Sequence, residues 1–327
     1  MKINMKVIAV VLISSALSAC GGGVSVASND GITGTGITAG RVTGFGSIYV
    51  NGIKFDVNNA TFSRDGMVSA GQSEFSIGEY VVIKGTIDKT KALGVAEDVS
   101  FKDILEGAVT STSKDDITIE ILGQLIEFNQ NTTTLLIDSD NLPAATFTKL
   151  SDLAVGNIVE VSGVKDSNGL IKATSIKLKE VSGKENQLKG TISELDTPVT
   201  SFKLGNIIVN YSDATLENFT GPLTNGQFVE VKSSTEFDGT TLFASQVKLE
   251  DEVLNIETGT ELEVEGIVTR YISNTDFEVN GIITTTNSET TYKYGTAGDI
   301  QLNTSLEVEG RIDSSGILVA EEIKFED

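Results

Sequence analysis

The feature that most constrains this chain is a pattern that recurs four times along it. Each copy opens with a glycine that leads an alternating strand, at Gly40-Arg41-Val42, Gly107-Ala108-Val109, Gly190-Thr191-Ile192 and Gly266-Ile267-Val268. Each closes with a small residue in a late strand, at Ala96, Ala173, Ala244 and Ala320. The opening glycines fall 67, 83 and 76 residues apart, which suits small domains better than solenoid coils. Between the landmarks sits a hairpin, Ile48-Tyr49-Val50-Asn51-Gly52-Ile53-Lys54-Phe55, echoed by Phe277-Glu278-Val279-Asn280-Gly281-Ile282. Asn-Gly accepts the positive φ that a type I′ turn needs at both central residues. The second copy substitutes Leu122-Gly123-Gln124 and the third Leu204-Gly205-Asn206. A later strand follows a turn at Gly78-Glu79-Tyr80, Gly156-Asn157-Ile158 and Gly226-Gln227-Phe228; the fourth copy reads with Thr304-Ser305 in that place, ahead of Leu306-Glu307-Val308-Glu309-Gly310.

Each copy thus offers about five short strands, with the variable length in its middle segment, where Asp138 to Leu153 is the largest insertion. Past the N-terminal segment nothing shows sustained helical periodicity, and Val, Ile and Thr dominate. Closing five strands removes the sheet edges that an isolated five-stranded sheet would expose. The expected fold is therefore all-β, with about four tandem five-stranded OB-like barrel modules at 37–103, 104–181, 186–251 and 260–327; an open sandwich is the alternative. The short, charge-interrupted runs do not suit a transmembrane barrel, whose strands need about 9–11 residues with lipid-facing alternation.

Residues 1–19 read as an export signal: Lys2 and Lys6 precede an apolar run from Val7 to Leu17 that is too short for a permanent span. Leu17-Ser18-Ala19-Cys20 resembles the bacterial lipobox. The resemblance implies cleavage before Cys20, a diacylglyceryl group on its thiol and acylation of the new amino group. Gly21 after the Cys implies, by the same family's sorting rule, the outer membrane rather than retention at the inner one. Residues 20–36 then form the lipidated Cys and a flexible tether.

Composition excludes several chemistries. The chain has no His and one Cys, so imidazole bases, Ser-His-Asp or Cys-His nucleophiles, His-bearing zinc sites and intramolecular disulfides are absent. With 46 acidic against 24 basic residues and a formal charge of −22, it repels phosphate backbones, and without Trp it lacks the best stacking platforms. No nucleic-acid partner and no cofactor is expected. The glycines from Gly31 to Gly46 lead into strand residues Ile48 and Val50 and not into a helix N-terminus, which argues against a phosphate-cradling loop.

Carboxylates are the abundant reactive groups. Adjacent pairs such as Asp115-Asp116, Asp251-Glu252 and Glu321-Glu322 point to opposite faces if they lie in strands, so they read as solvated charges. The fourth copy is sharper. Glu261, Glu263 and Glu265 alternate with Leu262 and Val264, and Glu307 and Glu309 with Leu306 and Val308, in strands that an OB-like barrel makes neighbours. Like charges facing across such a pair need water or a cation between them, so Glu263, Glu265, Glu307 and Glu309 are weak candidates for a metal site. The equivalent positions Lys84, Lys189 and Ser162 show that this acidity is not a property of the repeat. Asp138-Ser139-Asp140-Asn141 and Asp166-Ser167-Asn168-Gly169 lack a complete calcium-loop ligand series, and the second reads as a hairpin turn. The tyrosines at 49, 80, 211, 271, 292 and 294 suit sugar stacking or strand edges.

Gly34-Thr35-Gly36-Ile37, the run Gly40-Arg41-Val42-Thr43-Gly44-Phe45-Gly46-Ser47-Ile48-Tyr49-Val50-Asn51-Gly52 and the later Gly-x-x-Val-x-Val-x-Gly strands resemble the bacterial domain of unknown function numbered 5666. That resemblance implies tandem OB-like modules in secreted proteins and lipoproteins, and no established activity. The expected role is a non-enzymatic, membrane-anchored envelope lipoprotein. It is held in membrane lipid through acylated Cys20, and its modules serve a protein or glycan partner as an interaction or structural unit. A glycan- or cation-binding module and a carboxylate-dependent hydrolase are the alternatives.

Overall fold

A computed structural model describes residues 35–69, 71–88, 91–101, 103–112, 117–138, 147–180, 185–250 and 256–326. The signal segment and Cys20 lie outside these residues, as do Asp115-Asp116 and Asp251-Glu252. The described residues form 26 strands, three single-turn 3-10 helices and no α-helix. They make four small closed barrels.

In the first barrel the opening strand Thr35–Gly44 pairs antiparallel with Ile48–Val50, which pairs antiparallel with Ile53–Asp56. That strand runs parallel to the fifth, Leu93–Phe101, which pairs antiparallel with the fourth, Tyr80–Asp88. The fourth returns antiparallel to the first and closes the ring. The same circuit closes the second barrel, through Leu105–Thr112, Thr118–Ile121, Gln124–Glu127, Ile171–Glu180 and Ile158–Lys165. It closes the fourth through Glu261–Ser273, Asp276–Val279, Ile282–Thr285, Leu318–Phe325 and Ser305–Ile312. In every barrel the middle excursion lays an extra strand parallel to the fifth: Thr61–Arg64, Thr134–Ile137, Thr215–Glu217 and Thr291–Lys293.

Sequence landmarks map onto physical needs. Asn51, Leu122 and Asn280 take φ near +48° beside glycines that are also at positive φ, as the hairpin turns require. Gly85, Gly163 and Gly310, in the fourth strands, sit opposite Ala96, Ala173 and Ala320 at a bulge. A Cβ there would lie 2.1–2.3 Å from the facing carbonyl of Val95, Lys172 or Val319. The third barrel has Ser233 in that position. Its fourth strand Phe228–Ser233 ends there, and its fifth strand is broken into Thr241–Phe243 and Gln246–Leu249.

One register correction follows for the turn before the fourth strand. Gly78, Gly156 and Gly226 have φ of 93°, 92° and 91°, and Asn303 occupies their place at 68°. The fourth copy therefore carries Asn303-Thr304 there, and not Thr304-Ser305, because Asn is the side chain that best tolerates this left-handed backbone. The same two backbone bonds fasten the turn in every copy: the amides of residues 78, 156, 226 and 303 donate to Val42, Val109, Ile192 and Val268, and those four amides donate back to Glu79, Asn157, Gln227 and Thr304.

The barrels join in two different ways. The opening strands of the first and fourth run parallel, with Ile37 beside Leu262 and Ala39 beside Val264. Those of the second and third meet antiparallel, with Leu105 beside Leu188. Two separate sheets result, one for barrels one and four and one for barrels two and three. A single apolar core, from Leu105 and Val109 through Leu188 and Val247, runs through barrels two and three. The core of the fourth barrel takes in Ile37, Ala39, Tyr80 and Val82 from the first.

Candidate functional site

One register pair between the opening and fourth strands recurs in every barrel and sets the chemistry of its surroundings. It is Ala39 with Val82, Glu106 with Glu160, Lys189 with Glu230, and Glu265 with Glu307. The apolar pair of the first barrel packs on the core of the fourth. The charged pairs of the second and third barrels belong to a network that meets the first barrel.

Glu79 anchors that network. In each copy the residue after the left-handed turn position caps an amide three residues upstream: Glu79 Oε2 accepts from Ser76, Asn157 Oδ1 from Ala154, Gln227 Oε1 from Thr224 and Thr304 Oγ1 from Gln301. A neutral acceptor suffices in three copies. The first uses a carboxylate that is 0% exposed, and its second oxygen holds Arg64 at 2.6 Å and Lys177 of the second barrel at 2.7 Å. Arg64 lies over the ring of Phe101 and reaches Glu160 at 3.4 Å. Lys177 also reaches Glu160, at 3.2 Å. Lys179 bridges the facing carboxylates of the second barrel, at 3.2 Å from Glu160 and 3.5 Å from Glu106.

A second knot ties the third barrel in. Lys189 Nζ lies 2.6 Å from Asp103, 3.4 Å from Asp65 and 3.5 Å from Glu230, and Gln187 Nε2 donates to Asp103 at 2.7 Å. Burial disfavours the Lys189 charge, but these three carboxylates outweigh it and raise its pKa. Burial pushes Asp103 well up, helped by Asp65 beside it. It also raises Glu106. At Glu160 burial acts the same way, but the cations of Lys177, Arg64 and Lys179 prevail and hold it below its ordinary range. Between these groups opens a cleft of about 670 Å³, with Met67, Val68 and Ser69 of the first barrel on one side and Asn186, Ser234 and Ser245 of the third on the other.

The carboxylate row of the fourth barrel is drawn into other contacts. Strand pairing sets Glu263 opposite Glu309 and Glu265 opposite Glu307. Lys324 lies 3.2 Å from Glu307, and Arg311 3.5 Å from Glu261. Burial raises Glu265 despite the charge of Arg41. Among the described residues no three potential ligands converge on a metal position. Asp166 Oδ1 accepts from the amides of Asn168 and Leu170, closing the hairpin turn read from the sequence. Of the tyrosines, Tyr211 stacks on Phe202 at 5.5 Å, Tyr294 is 83% exposed and Tyr80 is half-buried. Tyr80 O–H donates to the Glu265 carbonyl at 2.6 Å, and its amide donates to Ser162 Oγ at 2.7 Å, so it touches three barrels.

Four stretches of the chain, 36–99, 106–177, 189–248 and 249–324, match the family described as Domain of unknown function (DUF5666). The chain belongs to that family. Among solved structures, Drosophila Unr CSD456 is similar over 69% of this chain and 97% of that one, at 13% identity and a TM-score of 0.18. No curated protein matches. In the sequence Glu79 stands out only as a residue of the repeated turn and Lys189 only as a repeat-equivalent position, and nothing local marks Arg64, Glu160 or Lys177. The signal available was departure from the DUF5666 repeat: Glu79 is the one carboxylate where the sibling copies carry Asn157, Gln227 and Thr304.

Proposed function

We propose that this chain is a non-enzymatic lipoprotein of the cell envelope, anchored in the outer membrane by acylated Cys20, whose four DUF5666 barrels act as a structural or interaction unit. The observation that carries the reading is the N-terminal sequence: a basic start, a short apolar run and Leu17-Ser18-Ala19 ahead of the sole Cys. One acyl chain holds only marginally, at about 0.8 kcal/mol per buried methylene, whereas several together anchor stably. The buried ionisable side chains support a non-catalytic body, since Glu79, Glu160 and Asp103 are each engaged by cations that join one barrel to another.

Membrane fractionation without detergent tests the anchor. The parent should sediment with membranes and Cys20→Ser should appear in the soluble fraction; equal retention of both overturns the reading. The cleft beside Ser234 and Ser245 favours a second reading, a glycan-binding envelope module, because hydroxyls are groups that hydrogen-bond sugar hydroxyls. A glycan array probed with the soluble Cys20→Ser chain separates the two, since binding to any glycan moves the assignment to the second.

A further inference from the structure

We infer that the protein is a two-part device: barrels one and four form one rigid half, barrels two and three the other, and the halves part along the charged joint while each stays folded. Three independent observations converge on this. Strand pairing joins one to four and two to three, and among the described residues no strand of one sheet pairs with a strand of the other. The apolar cores divide the same way, since every residue of the core shared by barrels two and three comes from those barrels. Among the described residues the bonds that cross between the halves are ion pairs and hydrogen bonds: Lys177 to Glu79, Arg64 to Glu160, Asp65 to Lys189, Tyr80 N–H to Ser162 Oγ, Arg41 to the Thr132 carbonyl at 2.6 Å and Ser167 to Asn303 at 3.1 Å.

Apolar burial is non-directional and accumulates with area, so it makes each half cohesive. Hydrogen-bonded ion pairs exchange with water at small net cost, which makes such a joint a hinge between cohesive bodies. The cleft of about 670 Å³ lies on this joint, with walls from both halves, so parting the halves changes its width and with it what can enter.

Spin-label distance measurement on the full chain carrying Cys20→Ser tests the device. One label pair, Val68→Cys with Ser234→Cys, faces across the cleft; a second, Val155→Cys with Val199→Cys, sits at exposed positions within one half. Glu79→Gln keeps an acceptor for the Ser76 amide and removes the charge that holds Arg64 and Lys177. It should lengthen and broaden the cross-cleft distribution and leave the within-half distribution unchanged. An unchanged cross-cleft distribution, or movement of both pairs together, overturns the inference. The unmutated chain provides a second readout. The Tyr80 amide, bonded across the joint to Ser162, should exchange with solvent roughly 100-fold faster than those of Val99 and Val308 in the barrel cores. Equal protection overturns it as well.

Discussion

At the scale of single residues, two kinds of position repeat, and each has a steric cause. The glycines of the fourth strands let a facing carbonyl approach where a Cβ would stand, so Gly310→Ser should push the fifth strand, at Val319, away from the fourth. Overpacking of that kind costs about 1–3 kcal/mol. The third barrel shows the consequence already, since with Ser233 in that place its fifth strand is interrupted. Gly298→Ala, where the nearest atom to a new Cβ is 3.8 Å away, should change stability by less than about 0.5 kcal/mol. Thermal unfolding of both variants checks the pair; similar losses would show that the carbonyl approach is not what the glycine serves. Three of the opening glycines, Gly40, Gly107 and Gly266, answer to the same logic. A Cβ at Gly266 would meet the amide of Asn280 at 2.3 Å, and that amide donates to the Glu265 carbonyl and accepts from Ile267 N–H.

At the scale of elements, the turn before each fourth strand performs one local task in four copies and a second in only one. Gln227→Ala removes a single amide cap and should cost about 0.5–1.5 kcal/mol. Glu79→Ala removes the cap and leaves Arg64 and Lys177 to share Glu160 alone, a loss that approaches the roughly 3–5 kcal/mol of a broken buried ion pair. Denaturant unfolding of the two variants should resolve the difference, and equal losses would deny Glu79 its second task. Glu160, in the fourth strand of the second barrel, adds a pH dependence. Its folded pKa lies below the ordinary 4.5, so its contribution is present above that value and is lost as pH falls through the folded one. Glu160→Gln should therefore flatten the acid limb of the stability profile while lowering stability at pH 7. The hairpins, the closing alanines and the five-strand circuit were legible in the sequence because each depends on residues a few positions apart or on the repeat itself. The Asn303 register was not, because Asn replaces Gly there and the eye follows the glycine. Nor was the charged joint, which unites Arg64, Glu160 and Lys189 through pairings set by which barrel neighbours which.

At the scale of the whole molecule, the formal charge of −22 acts on a body whose strand pairs already set carboxylate against carboxylate, Glu263 with Glu309 and Glu265 with Glu307. Net charge far from zero opposes compaction through self-repulsion, and salt screens exposed charges over a Debye length of about 10 Å at 0.1 M while reaching buried pairs much less. The surface term and the joint therefore respond unequally. Glu79 and Asp103 are buried, so their pairs with Lys177 and Lys189 lose little, whereas repulsion among the exposed acids fades. Raising sodium chloride from about 0.02 to 0.5 M should raise the melting temperature, because the repulsion it relieves outweighs the attraction it weakens. Calcium chloride at matched ionic strength discriminates the cause. Screening alone gives nearly the same shift for both salts, while a cation bound among the fourth-barrel carboxylates gives an additional rise that saturates at millimolar calcium. A melting temperature that falls with sodium chloride would mean that the ion pairs of the joint, and not the acidic surface, dominate the electrostatics of folding.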